Sequence, residues 1–162
     1  MEKTIDELRI RPMLPEDRPL VAEFFLQMGE ESASFFNRNR GNERRTLAFL
    51  EGKKPTHLFW LAEDITEEGS KMAGLVFLWD IHKSVPWLGI AVAENWKGKH
   101  LGRRLIGATR DWCIENGRGG ILLTTAQKNF RGQGLYERCG FERLGVHHDG
   151  EFLYLLRFDR ED

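Results

Sequence analysis

Two short segments, about thirty residues apart, hold the side chains best suited to chemistry: WKGKHLGRRLI (96–106) and NFRGQGLYERCGF (129–141). The first contributes four basic side chains and two glycines, and the second places an asparagine, two glycines and a tyrosine in a short helix. Basic side chains and unobstructed backbone N–H groups bind anions, and a tyrosine can donate a proton. The two segments therefore predict two halves of one site for an anionic ligand.

The charges of the first segment are placed unfavourably for a helix. From Leu101 onward, apolar residues recur at helical spacing, and Asn116-Gly117 is a typical helix stop. The start of such a helix carries a partial positive charge, so each exposed cation there costs about 0.3–1 kcal/mol. The four basic residues at this start are Lys97, Lys99, Arg103 and Arg104. A bound polyphosphate would convert the repulsion into attraction, which favours an anion-binding role.

The glycines of both segments restrict the kind of anion site. Gly98 and Gly102 would let an anion approach the backbone without a Cβ in the way. They lie too close together for a P-loop, and no Lys-Ser/Thr pair follows them. Gly132 and Gly134 lack the third glycine of a dinucleotide-binding motif. A solvated basic patch is the alternative interpretation of the first segment.

Composition indicates one ordinary globular domain, residues 1–162. The apolar share of 41% and the charged share of 30% suit a protein with one core. The net charge of −1 argues against a general nucleic-acid binder, and no apolar run approaches the roughly 20 residues of a membrane span. MEKTIDELRI lacks the apolar stretch of a secretory signal, and Cys113 and Cys139 are expected to be free thiols. We therefore expect a cytoplasmic protein.

Periodicity predicts helices and strands in a mixed order. Helices are expected after Pro15, in one or two pieces between Glu30 and Gly52, from Leu101, and in the second segment. Strands are expected at 8–11, 57–62, 72–80, 87–92, 121–125, 141–147 and 152–158, with turns at 67–70 and 148–150. This order indicates a mixed α/β sheet flanked by helices.

From about residue 85 to 158, the chain resembles the GNAT superfamily of N-acetyltransferases. The strand Leu88–Val92 precedes the loop 97–102, which corresponds to the family pattern Arg/Gln-x-x-Gly-x-Gly/Ala at a helix start. The later helix carries Asn129, Leu135-Tyr136 and Gly140-Phe141, again in the family order. The resemblance implies an α/β (α+β) fold with a mixed, mostly antiparallel central sheet.

The resemblance also implies acetyl-coenzyme A as the acetyl donor, with no metal. The pyrophosphate would bind N–H groups from Gly98 to Arg103, and the pantetheine arm would lie beside Ile90 to Val92, where one N–H would polarise the acetyl carbonyl. Asn129 would hydrogen-bond the cofactor amide or a nearby main chain. The residues implied for binding are Ile90, Ala91, Val92, Lys97, Gly98, Lys99, His100, Leu101, Gly102, Arg103 and Asn129.

Tyr136 is the catalytic residue that the resemblance implies. A phenol keeps its proton at neutral pH and can donate it as the thiolate of coenzyme A departs. A core tyrosine on a helix face is the alternative interpretation. Neither cysteine is evidently placed as a covalent relay, so we expect direct attack by an amine within a ternary complex.

Two residues depart from the family pattern, His100 and Gly134, the latter being the second glycine in one short helix. His100 stands where the family usually has glycine, and we expect its backbone to tolerate the position. Thr124 stands about where some members carry a glutamate, so the general base stays open. The candidates are Glu30, Glu31, Asp80, His82 and Glu94, a water chain, or an amine that arrives neutral. His147-His148-Asp149 is expected to form a polar hairpin turn rather than a metal site.

The resemblance implies an amine of a small molecule or peptide as the acceptor, whose identity stays open. Polyamines, aminoglycosides, amino acids and protein N-termini all fit, because the acceptor walls come from the irregular region 29–56 and the final strands. A non-catalytic acyl-coenzyme A sensor and a different nucleotide-binding protein are the alternatives. Trp79 and Trp87 would fit a homodimer interface as well as a core.

Overall fold

A computed structural model describes residues 3–158, which form one seven-stranded sheet with five helices. The helices are α1 (Arg18–Leu26), α2 (Glu30–Phe36), α3 (Gly41–Leu50), α4 (Leu101–Glu115) and α5 (Phe130–Arg138). The strands are β1 (Arg9–Pro12), β2 (Leu58–Thr66), β3 (Gly69–Trp79), β4 (Trp87–Val92), β5 (Gly120–Thr125), β6 (Glu142–Val146) and β7 (Phe152–Arg157).

The sheet is mixed and mostly antiparallel. Its strand order is β1-β2-β3-β4-β5-β7-β6, and β4 with β5 is the one parallel pair among the described strands. This architecture confirms the expected fold class. The turn expected at residues 67–70 is shorter, because Gly69 and Ser70 already belong to β3 and pair with Thr66 and Ile65.

Two hydrophobic cores cover the two faces of the sheet. On one face, Val21, Phe24 and Phe25 of α1 pack with Leu61, Leu75 and Phe77 of the central strands. On the other, Leu101 and Leu105 of α4 pack with Val76, Leu123 and Tyr154. Residues 72–78 of β3 are all buried, as expected of a central strand covered on both sides.

The parallel strands β4 and β5 separate soon after they begin. Within residues 3–158, Trp87 and Leu122 are their one paired position, and the N–H of Leu122 donates to the carbonyl of Pro86 at 2.9 Å. Beyond this point the two strands diverge, which leaves one edge of β4 without a neighbouring strand. Among the described helices, none combines the length and apolar character needed to cross a membrane.

Candidate active site

The gap between β4 and β5 opens into a cleft with a volume of about 750 Å³. Its walls come from α2, the end of β4, the start of α4 and one face of α5. Eleven of the twelve residues expected at the site line it: Ile90, Ala91, Val92, Lys97, Gly98, His100, Leu101, Gly102, Arg103, Asn129 and Tyr136. The twelfth, Lys99, is not among the lining residues; its ammonium lies 5.3 Å from the centre of the Trp96 ring.

The free edge of β4 presents backbone groups to the cleft. The N–H of Ala93 donates to the carbonyl of Ala73 at 2.8 Å, so odd-numbered residues of this stretch face β3. Because backbone groups alternate along an antiparallel strand, the N–H groups of Ile90 and Val92 point toward the gap instead. A ligand in extended conformation can pair with this edge.

The start of α4 is shaped by two residues in left-handed conformation. Gly98 has φ of 76° and His100 has φ of 70°. His100 precedes the helix and makes no side-chain capping bond, so the first N–H groups of α4 stay open to an anion. The expected tolerance of His100 is confirmed for the backbone, since histidine adopts the conformation that favours glycine and its side chain remains exposed.

The basic residues at this helix start are partly compensated, contrary to the sequence-based expectation. The ammonium of Lys97 contacts Glu94 Oε1 at 3.0 Å and donates to Ser32 Oγ, and Arg104 pairs with Asp6 at 3.1 Å. Arg103 has no ion-pair partner within residues 3–158 and lines the cleft. Lys99 has no ion-pair partner in this part of the chain either, so Arg103 is the one of the two uncompensated cations that lines the cleft.

Gly102 has a packing role that local sequence spacing does not show. A Cβ at this position would lie 2.7 Å from Cδ2 of Leu135, so the glycine allows α4 and α5 to approach closely. Gly98 differs, because a Cβ there would meet open space while its positive φ favours glycine.

Tyr136 places its hydroxyl at the cleft. The side chain is 7% exposed, and its ring packs 6.0 Å from Phe141 and 5.9 Å from Tyr154. Burial raises the pKa of Tyr136 above its ordinary value, so the phenol is protonated at neutral pH. Its hydroxyl makes no hydrogen bond with another described side chain or main-chain group, which leaves it available to a ligand.

Asn129 is engaged by the start of α5. Its Oδ1 accepts a hydrogen bond from the N–H of Gly132 at 3.1 Å, and its Nδ2 donates to Thr125 Oγ1 at 3.1 Å. The main-chain bond is one of the two roles expected for this side chain. A Cβ on Gly132 would lie 2.5 Å from Asn129 Nδ2, so glycine and asparagine are required together for this cap.

Two of the candidate bases, Glu31 and Glu94, line the cleft. Glu30, Asp80 and His82 are not among its lining residues. Hydrogen bonds from Ser32 and Lys97 lower the pKa of Glu94, so its carboxylate is ionised but a weak proton acceptor. Thr124 pairs with Leu153 in the sheet and does not line the cleft.

The cysteines are not placed for nucleophilic chemistry. Both are free, and neither lines the cleft. Burial raises the pKa of Cys113 to about 11 and also raises that of Cys139, so both thiols are protonated at neutral pH.

Several lining residues are missed by sequence reasoning. Ser32, Phe35 and Phe36 of α2 and Arg131 and Arg138 of α5 line the cleft. The aromatic pair of α2 lines a cavity, and no residue of this helix is fully buried. Its sequence therefore shows only a weak helical pattern of apolar residues. Arg131 and Arg138 are seven residues apart, about two helical turns, and that spacing could have placed both on one face.

The histidine pair lies outside the cleft. His147 and Gly150 close a turn through a 2.9 Å backbone hydrogen bond, and the His147 ring lies 5.8 Å from Trp87. In the part of the chain that the structure describes, no three potential metal-ligating side chains come together. The pair thus forms the polar hairpin that its sequence predicts.

Comparison with known proteins identifies the family that this sequence matches. Residues 23–141 match the model of the acetyltransferase (GNAT) family. The chain is 26% identical over 141 residues to the uncharacterised N-acetyltransferase YhfO of Bacillus subtilis, which covers 83% of this chain and 90% of that protein.

Solved structures share the fold over nearly the whole chain. The ribosomal-protein-S5-alanine acetyltransferase of Vibrio fischeri has a TM-score of 0.76 at 18% identity, covering 100% of this chain and 97% of that one. The spermidine N-acetyltransferase of Vibrio cholerae, solved with CoA and spermine, has a TM-score of 0.70 at 21% identity, covering 94% and 95%. At these identities the likeness establishes the fold.

Proposed function

The chain belongs to the acetyltransferase (GNAT) family, and from this premise we propose that its cleft moves an acetyl group from acetyl-coenzyme A to a primary amine by direct attack in a ternary complex. Family membership makes the chain an acetyl-coenzyme A-dependent N-acetyltransferase; the acceptor class and the residue roles are the proposal. One observation carries it: the free edge of β4, the open start of α4 and the Tyr136 hydroxyl all face one cleft.

The start of α4 binds the pyrophosphate of the donor. Leu101, Gly102 and Arg103 of the uncapped first turn of α4 all line this cleft, where helix dipole and side-chain charge both favour an anion. Arg131 and Arg138 extend the positive charge along the other wall. The positive φ of Gly98 turns the chain into this arrangement.

The free edge of β4 positions the pantetheine arm and the thioester. Ile90 and Val92 donate N–H groups into the gap where β5 has diverged. One of these donors polarises the acetyl carbonyl as the oxyanion develops, and a preorganised donor of this kind contributes about 2.7–4 kcal/mol. The rigid pairing of β4 with β3 holds the donors in place.

Tyr136 assists departure of the sulfur. Its raised pKa keeps the phenol neutral, so it can donate a hydrogen bond to the developing thiolate. A thiol ionises near pH 8.5, below the pKa of this phenol. The contribution of Tyr136 is therefore the donated hydrogen bond, which stabilises the departing thiolate while the phenol keeps its proton.

The acceptor enters along α2 and attacks as a neutral amine. Glu31 gives this entrance negative charge beside the Lys97–Glu94 ion pair, and this charge attracts an ammonium group. Since Glu94 is a weak base, we assign proton removal to solvent and not to a dedicated carboxylate. A single domain in the cytoplasm remains our prediction for the setting of this reaction.

Two measurements test the proposed function. Calorimetry should show one acetyl-coenzyme A site per chain, and a thiol-release screen over an amine panel should show acceptor-dependent release of coenzyme A. A folded chain that ignores acetyl-coenzyme A at millimolar concentration would contradict the donor site. A chain that binds it but releases no thiol with any amine would be an acyl-coenzyme A sensor.

A further inference from the structure

Ser32, near the start of α2, is bound by two residues of the loop between β4 and α4. Its hydroxyl donates a hydrogen bond to Glu94 Oε1 at 2.6 Å, and its Oγ accepts one from the ammonium of Lys97. Lys97 also contacts Glu94 Oε1 at 3.0 Å, so the three side chains form a closed triangle. The triangle uses the one hydroxyl hydrogen of Ser32 but only two of the three N–H donors of Lys97.

The triangle is the main attachment of the first turn of α2. Among the described residues, it supplies the only hydrogen bonds that connect residues 29–33 with an element other than α2. Glu30 and Glu31 form no ion pair within residues 3–158, and no residue of α2 is fully buried. The contact is close, since a Cβ on Gly29 would lie 3.0 Å from Glu94 Oε1.

The other end of α2 has a separate attachment to the core. The Phe36 ring stacks on Phe25 at 6.2 Å and lies 6.2 Å from Phe77, and both of these partners are buried. The carbonyl of Phe36 also accepts a hydrogen bond from Asn42 Nδ2 at 2.6 Å. The end of α2 is therefore fixed to the core, whereas the position of its first turn depends on the triangle.

Lys97 stands between a buried anchor and the proposed donor site. Trp96, the preceding residue, is 4% exposed, and its N–H donates to the carbonyl of Ala93 at 2.9 Å. Gly98, the following residue, turns the chain toward the open start of α4, and Lys97 itself lines the cleft. Its remaining N–H donor can bind a phosphate oxygen while the other two donors stay in the triangle.

Glu94 and a pyrophosphate are both anionic, so they share Lys97 only if further positive charge is near. Hydrogen bonds from Ser32 and Lys97, together with the charge of Arg131, lower the pKa of Glu94. Arg131 lines the same cleft from α5 and has no ion-pair partner within residues 3–158. Its charge reduces the repulsion between the carboxylate and a bound phosphate.

We propose that Lys97, once bound to the pyrophosphate of the donor, fastens the first turn of α2 through Ser32 and Glu94, so that donor binding strengthens binding of the amine. This inference rests on the proposed acetyltransferase function. Glu31 and Phe35 of α2 line the cleft, so the position of this helix sets the acceptor wall. Ser32 is then a positioning residue for the acceptor. Coupling of this kind is reciprocal and is commonly 5-fold to 150-fold in affinity.

Hydrogen–deuterium exchange tests the proposal without a known amine. Saturating coenzyme A should slow exchange of the α2 amides at residues 33–37 by about fivefold or more in wild type, and Ser32→Ala should lose most of this protection. Ser32→Thr keeps a hydroxyl and should retain part of it. Ser34→Ala is the matched control, because the Ser34 hydroxyl donates only to the carbonyl of Glu31 within the same helix, at 2.6 Å. It should be protected as wild type is.

Kinetics at saturating acetyl-coenzyme A give a second measurement. For an amine found by the thiol-release screen, Ser32→Ala should raise KM for the amine by about fivefold or more and keep kcat within about twofold, with Ser34→Ala unchanged. Equal protection of α2 by coenzyme A in wild type and Ser32→Ala, no protection in either, or equal loss in both alanine variants overturns the proposal. A chain that does not bind coenzyme A would overturn the proposed function instead, so the two failures are distinguishable.

Discussion

The ring centres of Tyr136 and Tyr154 lie 5.9 Å apart, yet the two hydroxyls have different surroundings. Tyr154 is fully buried and donates to Glu137 Oε2 at 2.9 Å. Tyr136 turns its hydroxyl to the cleft and bonds no other described residue. The hydroxyl of Tyr154 is thus part of the packed structure, whereas the hydroxyl of Tyr136 is available to a ligand in the cleft.

Tyr136→Phe should lower kcat by about tenfold or more and leave the Kd for acetyl-coenzyme A nearly unchanged, because in the proposed mechanism the hydroxyl acts on the departing sulfur. Steady-state kinetics and calorimetry measure the two effects. Tyr154→Phe is the matched control: it should cost about 1 kcal/mol of unfolding free energy and keep kcat. Wild-type turnover by Tyr136→Phe would remove the assigned role.

Gly102→Ala should destabilise the protein by about 1–3 kcal/mol, because the added methyl group meets Leu135. Urea denaturation measures this loss. The double variant Gly102→Ala/Leu135→Ala should lose less stability than the sum of the two single losses, since the leucine side chain that blocks the methyl group is gone. Additive losses in the double variant would show that the two residues do not compete for space.

Arg103→Gln should weaken acetyl-coenzyme A binding by about tenfold or more, since a charge-assisted contact to phosphate is lost. Arg104→Gln is the matched control, because Arg104 pairs with Asp6 and does not line the cleft. Calorimetry with 3′-dephospho-coenzyme A identifies the phosphate involved. If the loss appeared only with the 3′-phosphate present, Arg103 would not bind the pyrophosphate.

His57 should make stability fall in mild acid. Burial, together with the charges of Arg45 and Lys54, lowers its pKa from 6.5 to about 4 in the folded protein. Between these values the unfolded chain binds a proton that the folded chain does not, so stability decreases as pH falls from about 6.5 to 4. A pKa shift of this size can lower the free energy of unfolding by at most about 3 kcal/mol, and the partial exposure of His57 to water reduces this loss.

Urea denaturation at pH 4.5 and 7 measures this dependence. His57→Gln cannot titrate, so it should lose at least about 1 kcal/mol less than wild type on acidification. His82→Gln, an exposed histidine, should behave as wild type. The same acid loss in wild type and His57→Gln would contradict the assignment.

Local patterns predicted most of the fold around the cleft. The apolar spacing of α4, its stop at Asn116-Gly117 and the strands on either side all follow from short-range periodicity. The resemblance to the family pattern singled out the loop before α4 and Tyr136, which both line the cleft. The helix and the strands could be predicted because each depends on the spacing of residues within one element.

Contacts between distant segments could not be predicted in this way. Lys97 meets Ser32 across 65 positions, and Arg104 meets Asp6 across 98, so the apparent excess of cations at α4 is smaller than its spacing indicates. Gly102 likewise owes its lack of a side chain to Leu135 on another helix.

The single paired position of Trp87 and Leu122 has a consequence for the working cycle of the enzyme. When the cleft is empty, the amides of Ile90 and Val92 should exchange with deuterium quickly, as groups facing water do. Coenzyme A should slow both, and unaltered rates would contradict this. Each turnover would then form and break main-chain hydrogen bonds along the free edge of β4, so that the rigidity of the central sheet rises and falls with every acetyl group transferred.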